Sequence, residues 1–153
     1  MVVEHLDELY REVILDHFKS PRNTGGLPNP DIHAEGTNPL CGDEIAFSLT
    51  LREGRVDQVR FQGKGCAISQ ATGSMLTEQL HGKTLEEISG LVDAMKRLMQ
   101  GQEPEVDLGD LESLVGVRKF PVRIKCAALS WNVLEQGIEE YRKTGQGATG
   151  RKP

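Results

Sequence analysis

The chain reads as an α+β domain, a small three-stranded antiparallel sheet packed on one side by about five helices. Two observations predict this. Ile45, Phe47, Leu49 and Leu51 alternate with Ala46, Ser48, Thr50 and Arg52 and lead through Glu53-Gly54 into a second β-rich run with Val56, Val59 and Phe61, which is the pattern of a hairpin. On either side of it, apolar residues recur at helical spacing.

The elements follow in order. Leu6, Leu9, Tyr10, Val13, Ile14 and Phe18 trace one stripe of a first helix, which Ser20-Pro21 closes because proline disfavours helix at the residue before it. After a loop with Pro28, Asn29 and Pro30, Ile32 to Asn38 is a weak strand, and the hairpin comes next. From Cys66 the period changes: Ile68, Ala71, Met75, Leu76 and Leu80 share a helix face that stops at His81-Gly82-Lys83. Thr84-Leu85-Glu86-Glu87 is a capping box opening another helix through Ile88, Val92, Met95 and Met99, broken by Gly101 to Pro104. The acidic, leucine-bearing stretch Asp107 to Gly116 holds one short helix in an irregular segment. Phe120-Pro121 precedes the last helix, with Leu129, Val133, Ile138 and Tyr141 on one face, to about Thr144. Residues 1–144 thus form a single domain, with 145–153 a flexible glycine-rich tail.

At 153 residues the chain can bury a sufficient core without staples. Its formal charge of −5 and lack of a basic stripe exclude nucleic acid and anionic membrane as natural partners. No apolar run approaches the roughly 20 residues of a membrane span, and the first residues lack a basic and apolar leader pattern. A cytoplasmic location is therefore expected, where thiols stay reduced.

The chain has three cysteines, an odd number that argues against a disulfide framework. Cys41 sits in Cys41-Gly42-Asp43, where Gly42 can take positive φ and let Cys41 and Asp43 face one centre. Cys66 ends Gly63-Lys64-Gly65-Cys66 and opens a helix; Cys126 follows Lys125 near the start of another. Helix amide ends favour anionic ligand atoms, and Lys64 and Lys125 act in the same direction. Hairpin pairing brings Cys41, before it, and Cys66, after it, to one end of the sheet. Cys41, Asp43, Cys66 and Cys126 together supply the four ligands of a tetrahedral zinc or iron–sulfur site. Taken singly, a cysteine is commonly a small buried hydrophobe and an aspartate a turn residue, so the combination carries the argument. His5, His17, His33 and His81 read as solvated or capping side chains, Lys83, Lys96 and Arg97 as solvated charges, and Trp131 as core or partner surface.

Several segments resemble the U-type iron–sulfur cluster assembly proteins, the IscU/SufU/NifU-N-terminal family. They are Ile14-Leu15-Asp16-His17-Phe18 with Pro21-Arg22-Asn23, Asn38-Pro39-Leu40-Cys41-Gly42-Asp43, Phe61-Gln62-Gly63-Lys64-Gly65-Cys66-Ala67-Ile68-Ser69, Ala71-Thr72-Gly73-Ser74-Met75, and Arg123-Ile124-Lys125-Cys126-Ala127. The likeness runs from about Leu9 to Tyr141 and is closest to the SufU branch. Lys125 stands where IscU-type scaffolds carry histidine, and Lys119-Phe120-Pro121-Val122-Arg123 replaces their chaperone-read Leu-Pro-Pro-Val-Lys. The segment around Gly101 to Val117 resembles the SufU insertion.

The resemblance implies a protein that accepts sulfane sulfur from a pyridoxal-phosphate (PLP) cysteine desulfurase, here at a Zn²⁺ site of Cys41, Asp43, Cys66 and Cys126, and Cys41, on the least regular backbone, is the expected acceptor. The sulfur then passes to downstream cluster assembly or apo-target proteins. An alternative within the same biology is a scaffold on which iron and sulfide form a [2Fe–2S] cluster, with Cys126 as sulfur acceptor. A purely structural zinc module is the alternative from another class.

Overall fold

A computed structural model of the chain describes residues 2–40 and 42–144, with side chains from residue 8 onward. Strands β1 (Ile32–Asn38), β2 (Asp43–Arg52) and β3 (Arg55–Lys64) pair antiparallel in that order. The helices are α1 (Val2–Lys19), α2 (Ala67–Leu80), α3 (Leu85–Met99), a 3₁₀ helix (Gly109–Lys119) and α4 (Pro121–Thr144). The sheet, the hairpin and the number of helices agree with the sequence reading, including the weak first strand.

The hairpin turn has positive φ at both Glu53 (55°) and Gly54 (80°), matching the twist of tight hairpins. Phe47 faces Phe61 across the strands, with ring centroids 6.2 Å apart. Val56 and Val59 are both buried although three residues apart, which a regular strand forbids. The register explains it: Thr50 pairs with Gln58 but Leu51 with Val56, so Asp57 is an extra, bulged residue.

Helices α2 and α4 cover the sheet face that carries Ile45, Phe47, Leu49 and Phe61. Helix α2 is so enclosed that Ser69, Thr72, Ser74 and Thr77 are buried along with its apolar residues. A Cβ at Gly73 would lie 2.8 Å from two carbons of the Phe61 ring, so the helix backbone rests directly on that ring. The capping box forms as expected, Glu87 N–H donating to Thr84 Oγ1 (3.1 Å) and Thr84 N–H to Glu87 Oε1 (2.9 Å). In the segment read as largely irregular, Leu108, Leu111, Leu114 and Val117 are all buried. Their spacing of three matches the three residues per turn of a 3₁₀ helix, which stacks them on one side.

Two expectations for α1 and the histidines need correction. Leu9 and Phe18, placed on the inner stripe of α1, are 54% and 41% exposed. His17 is fully buried instead, and completes an inward face with Val13 and Ile14 because, among the described residues, α1 packs chiefly on α2 and the 3₁₀ helix. His33 bonds to Ser48 and Glu35, Trp131 belongs to the core, and Lys96 is held by Glu135 at 2.8 Å. The side chain of His5 and the segment 145–153 lie outside the described residues. No described helix is long and apolar enough to cross a membrane.

Candidate metal centre

Three elements meet at the open end of the hairpin. Asp43 is the first residue of β2, opposite Asn38. The partner strand β3 continues through Glu44↔Lys64 into Gly65 and Cys66, which brings Cys66 back beside Asp43. Gln70, with its amide nitrogen toward the strand, donates to Gly63 O (3.1 Å) and accepts from Lys64 N–H (3.2 Å), tying that strand end to α2. Gly65 has φ +140°, and any Cβ there would run into the Asp43 carboxylate. The close approach is thus available only to glycine.

Cys66 is the N-cap of α2, with extended backbone (φ −74°, ψ 165°). Its N–H donates to Asp43 Oδ1 at 2.8 Å, and its Sγ lies 3.7 Å from Asp43 Oδ2. The Asp43 carboxylate, fully buried, is therefore fixed by one oxygen while the other turns toward sulfur. Cys126 comes from α4 and is 3% exposed. Ligand atoms of Asp43, Cys66 and Cys126 all lie within 4.8 Å of one another. Two thiols and a carboxylate at that separation fit a cation that takes S and O donors, zinc or iron, better than a hard oxygen-seeking one. Neither Cys66 nor Cys126 forms a disulfide among the described residues.

Cys41 lies outside the described residues, between Leu40, which is 69% exposed, and Gly42, whose φ of +69° is the positive value expected for it. One sequence expectation is corrected. Cys126 is not at a helix amide end, because α4 begins at Pro121, a residue favoured at the first helical position, and Cys126 lies a full turn inside. Only Cys66 has the helix-end position. Lys125 is exposed and Lys64 pairs loosely with Glu44 at 3.8 Å. Sequence reasoning missed the part played by Gly65. The signal was present in Gly63-Lys64-Gly65-Cys66, a strand ending in glycines directly before a candidate ligand.

Residues 9–147 match the family described as NifU-like N terminal domain. The chain belongs to that family. Within it, the chain is 47% identical over 136 residues to the zinc-dependent sulfurtransferase SufU of Bacillus subtilis, covering 88% of this chain and 92% of the relative. It is 40% identical to the iron–sulfur cluster assembly scaffold protein IscU of Streptococcus pyogenes, covering 91% and 88%. Among solved NifU-like structures, a putative scaffold protein for the SUF system from Fervidobacterium islandicum superposes with a TM-score of 0.79 at 33% identity, covering 83% of this chain and 94% of that one. The N-terminal part of a NifU-like protein from Brucella abortus gives 0.81 at 26% identity, covering 90% and 97%.

Proposed function

We propose that this protein, acting through a single unit spanning 1–144, accepts sulfane sulfur from a PLP-dependent cysteine desulfurase at Cys41 and feeds it into iron–sulfur cluster assembly. The observation that carries the reading is the convergence of Asp43, Cys66 and Cys126 at the hairpin end, two residues along the chain from Cys41. Likeness to a zinc-dependent sulfurtransferase supports it. With Cys41 the donor set is three thiolates and one carboxylate, the number and softness that tetrahedral Zn²⁺ takes. Bound there, Zn²⁺ supplies a Lewis-acidic centre that keeps ligand thiols ionised at neutral pH.

The chain's own residues divide the work. Asp43 and Cys66 are locked together by the 2.8 Å bond from the Cys66 amide, and Cys126 is held in the second turn of α4, so these three are the fixed ligands. Cys41, between Leu40 and Gly42 in the turn before β2, is the acceptor. Its thiolate attacks the terminal sulfur of the partner's persulfide. A new S–S bond forms on Cys41, the partner's S–S bond breaks, and the partner's cysteine leaves as a thiolate, with no net oxidation.

Similarity to scaffold proteins favours a second reading, in which iron and sulfide are cargo assembled as [2Fe–2S] on the same cysteines for apo-target proteins. Single-turnover transfer separates the two. Zinc-loaded protein is mixed with a cysteine desulfurase and radiolabelled cysteine, and persulfide is mapped in wild type and in the Cys41→Ala, Cys66→Ala and Cys126→Ala variants. Zinc-dependent label that maps to Cys41 and disappears with Cys41→Ala supports sulfur transfer. Label on Cys126 without a zinc requirement supports the scaffold, and no label on any cysteine overturns both.

A further inference from the structure

The buried His17 has no place in sulfur transfer. Its Nε2 lies 2.8 Å from Asp110 Oδ2 and 3.6 Å from Glu78 Oε1. His17 is fully buried, whereas Glu78 and Asp110 are 42% and 51% exposed, so Nε2 faces two carboxylates that reach solvent. The far side of the ring is fixed independently: Nδ1 lies 2.7 Å from Ser74 Oγ, which also accepts the Arg22 N–H at 2.8 Å. A histidine anchored through one nitrogen and presenting the other to carboxylates has the outer support that metal-ligating histidines show.

The geometry points to a second divalent-cation site made by His17 Nε2, Glu78 and Asp110, of nitrogen and oxygen donors and separate from the thiolate centre. Metal–donor distances of about 2.1 Å put neighbouring donors roughly 3.0–3.4 Å apart in octahedral or tetrahedral coordination. The two observed separations from Nε2 bracket that range, so small rotations of two half-exposed side chains complete the set. Glu78 is twelve residues along α2 from Cys66, about 18 Å at the helical rise, so the sites do not share ligands.

Charge is compatible with a cation. Arg22 is nearby, its Nε 3.7 Å from Glu78 Oε2, but its Nη2 is taken by Asp16 at 2.6 Å. That bond and the attraction of Arg22 hold the Asp16 carboxyl below its ordinary range. Asp16, Glu78 and Asp110 against one guanidinium leave two negative charges when the imidazole is neutral. One imidazole and two carboxylates suit Mn²⁺, Fe²⁺ or Co²⁺, and lack the soft sulfur that draws zinc to the other centre. Coordination would use the neutral tautomer with its proton on Nδ1, shared with Ser74 Oγ, leaving the Nε2 lone pair for the cation.

Mn²⁺ is the probe. Titrated into the zinc-loaded full chain, it is expected to bind at one equivalent, read as loss of the free-ion electron-spin-resonance signal. Binding should broaden the nuclear resonances of His17, Glu78 and Asp110, and leave the zinc content unchanged. The Glu78→Gln/Asp110→Asn double variant keeps side-chain shape and hydrogen bonding to His17, and should lose the Mn²⁺ equivalent. Absence of Mn²⁺ uptake by wild type, broadening elsewhere than at His17, or uptake unchanged in the double variant would each overturn the site. The sulfur-transfer reading stands or falls separately.

Discussion

A side chain at position 65 would have to share space with the Asp43 carboxylate, and would also need a backbone angle of +140° that L-residues avoid. Gly65→Ala should therefore cost about 1–3 kcal/mol in stability from backbone strain alone. It should also speed zinc loss to a chelator, because the carboxylate must move away from Cys66. Gly90→Ala is the matched control: Gly90 lies inside α3 with nothing within 4 Å of its would-be Cβ, and the substitution should stabilise by about 0.5–1 kcal/mol. Chemical denaturation and chelator competition on both variants check this, and equal zinc retention in both would remove Gly65 from the site. At this scale the approach of Asp43 to Cys66 was legible, because Gly42-Asp43 and Gly65-Cys66 carry their chemistry locally. His17 was not. Its partners Ser74 and Asp110 lie 57 and 93 residues away, so nothing near it in the chain marks it as enclosed.

Among the elements, α3 has the most self-contained signal: Thr84 and Glu87 cap it reciprocally. The Thr84 backbone N–H holds the Glu87 carboxyl below its ordinary value of 4.5, with Arg55 and Lys83 adding attraction. A carboxylate with a depressed folded value stabilises fully above the unfolded value, and its contribution fades as pH falls through the lower folded value. Acidification through and below 4.5 should thus loosen the start of α3. Thr84→Ala should cost about 0.5–2 kcal/mol at neutral pH, and because alanine keeps the backbone N–H at position 84 it should leave the Glu87 midpoint below its ordinary value. Carbon-detected titration of Glu87 in both proteins tests it, and a variant midpoint at the ordinary value would dismiss the backbone N–H as the main cause. The capping box, the hairpin alternation and the helix periods were readable because each is a local pattern. The bulge at Asp57 was not, since it appears only when β2 is laid against β3. The 3₁₀ helix lay between: the Leu108, Leu111, Leu114, Val117 spacing was visible, but a period of three belongs to neither strand nor α-helix.

For the molecule as a whole, the candidate centre is carried by β2, the start of α2 and α4, and these same elements meet in the hydrophobic core. Phe47, Phe61, Met75, Leu76, Trp131 and Leu134 are all buried there, in one cluster that extends through α3 and the 3₁₀ helix. None of these six side chains belongs to the candidate centre, and a chain of this length buries about two-thirds of its unfolded surface. Removing zinc should leave a folded protein with unchanged far-ultraviolet circular dichroism and a single cooperative melt. Ligand linkage then sets the size of the effect. Zinc at a thousandfold its dissociation constant adds about 4 kcal/mol. At roughly 2–4 °C per kcal/mol for a domain of this size, the apo protein should melt about 8–16 °C lower. Calorimetry of chelator-treated and zinc-loaded protein measures both quantities. A fold that survives metal loss is what transfer requires, because the centre must open to a partner without dissolving its own support. An apo chain that is unfolded at room temperature would instead make zinc a structural staple and end the transfer reading.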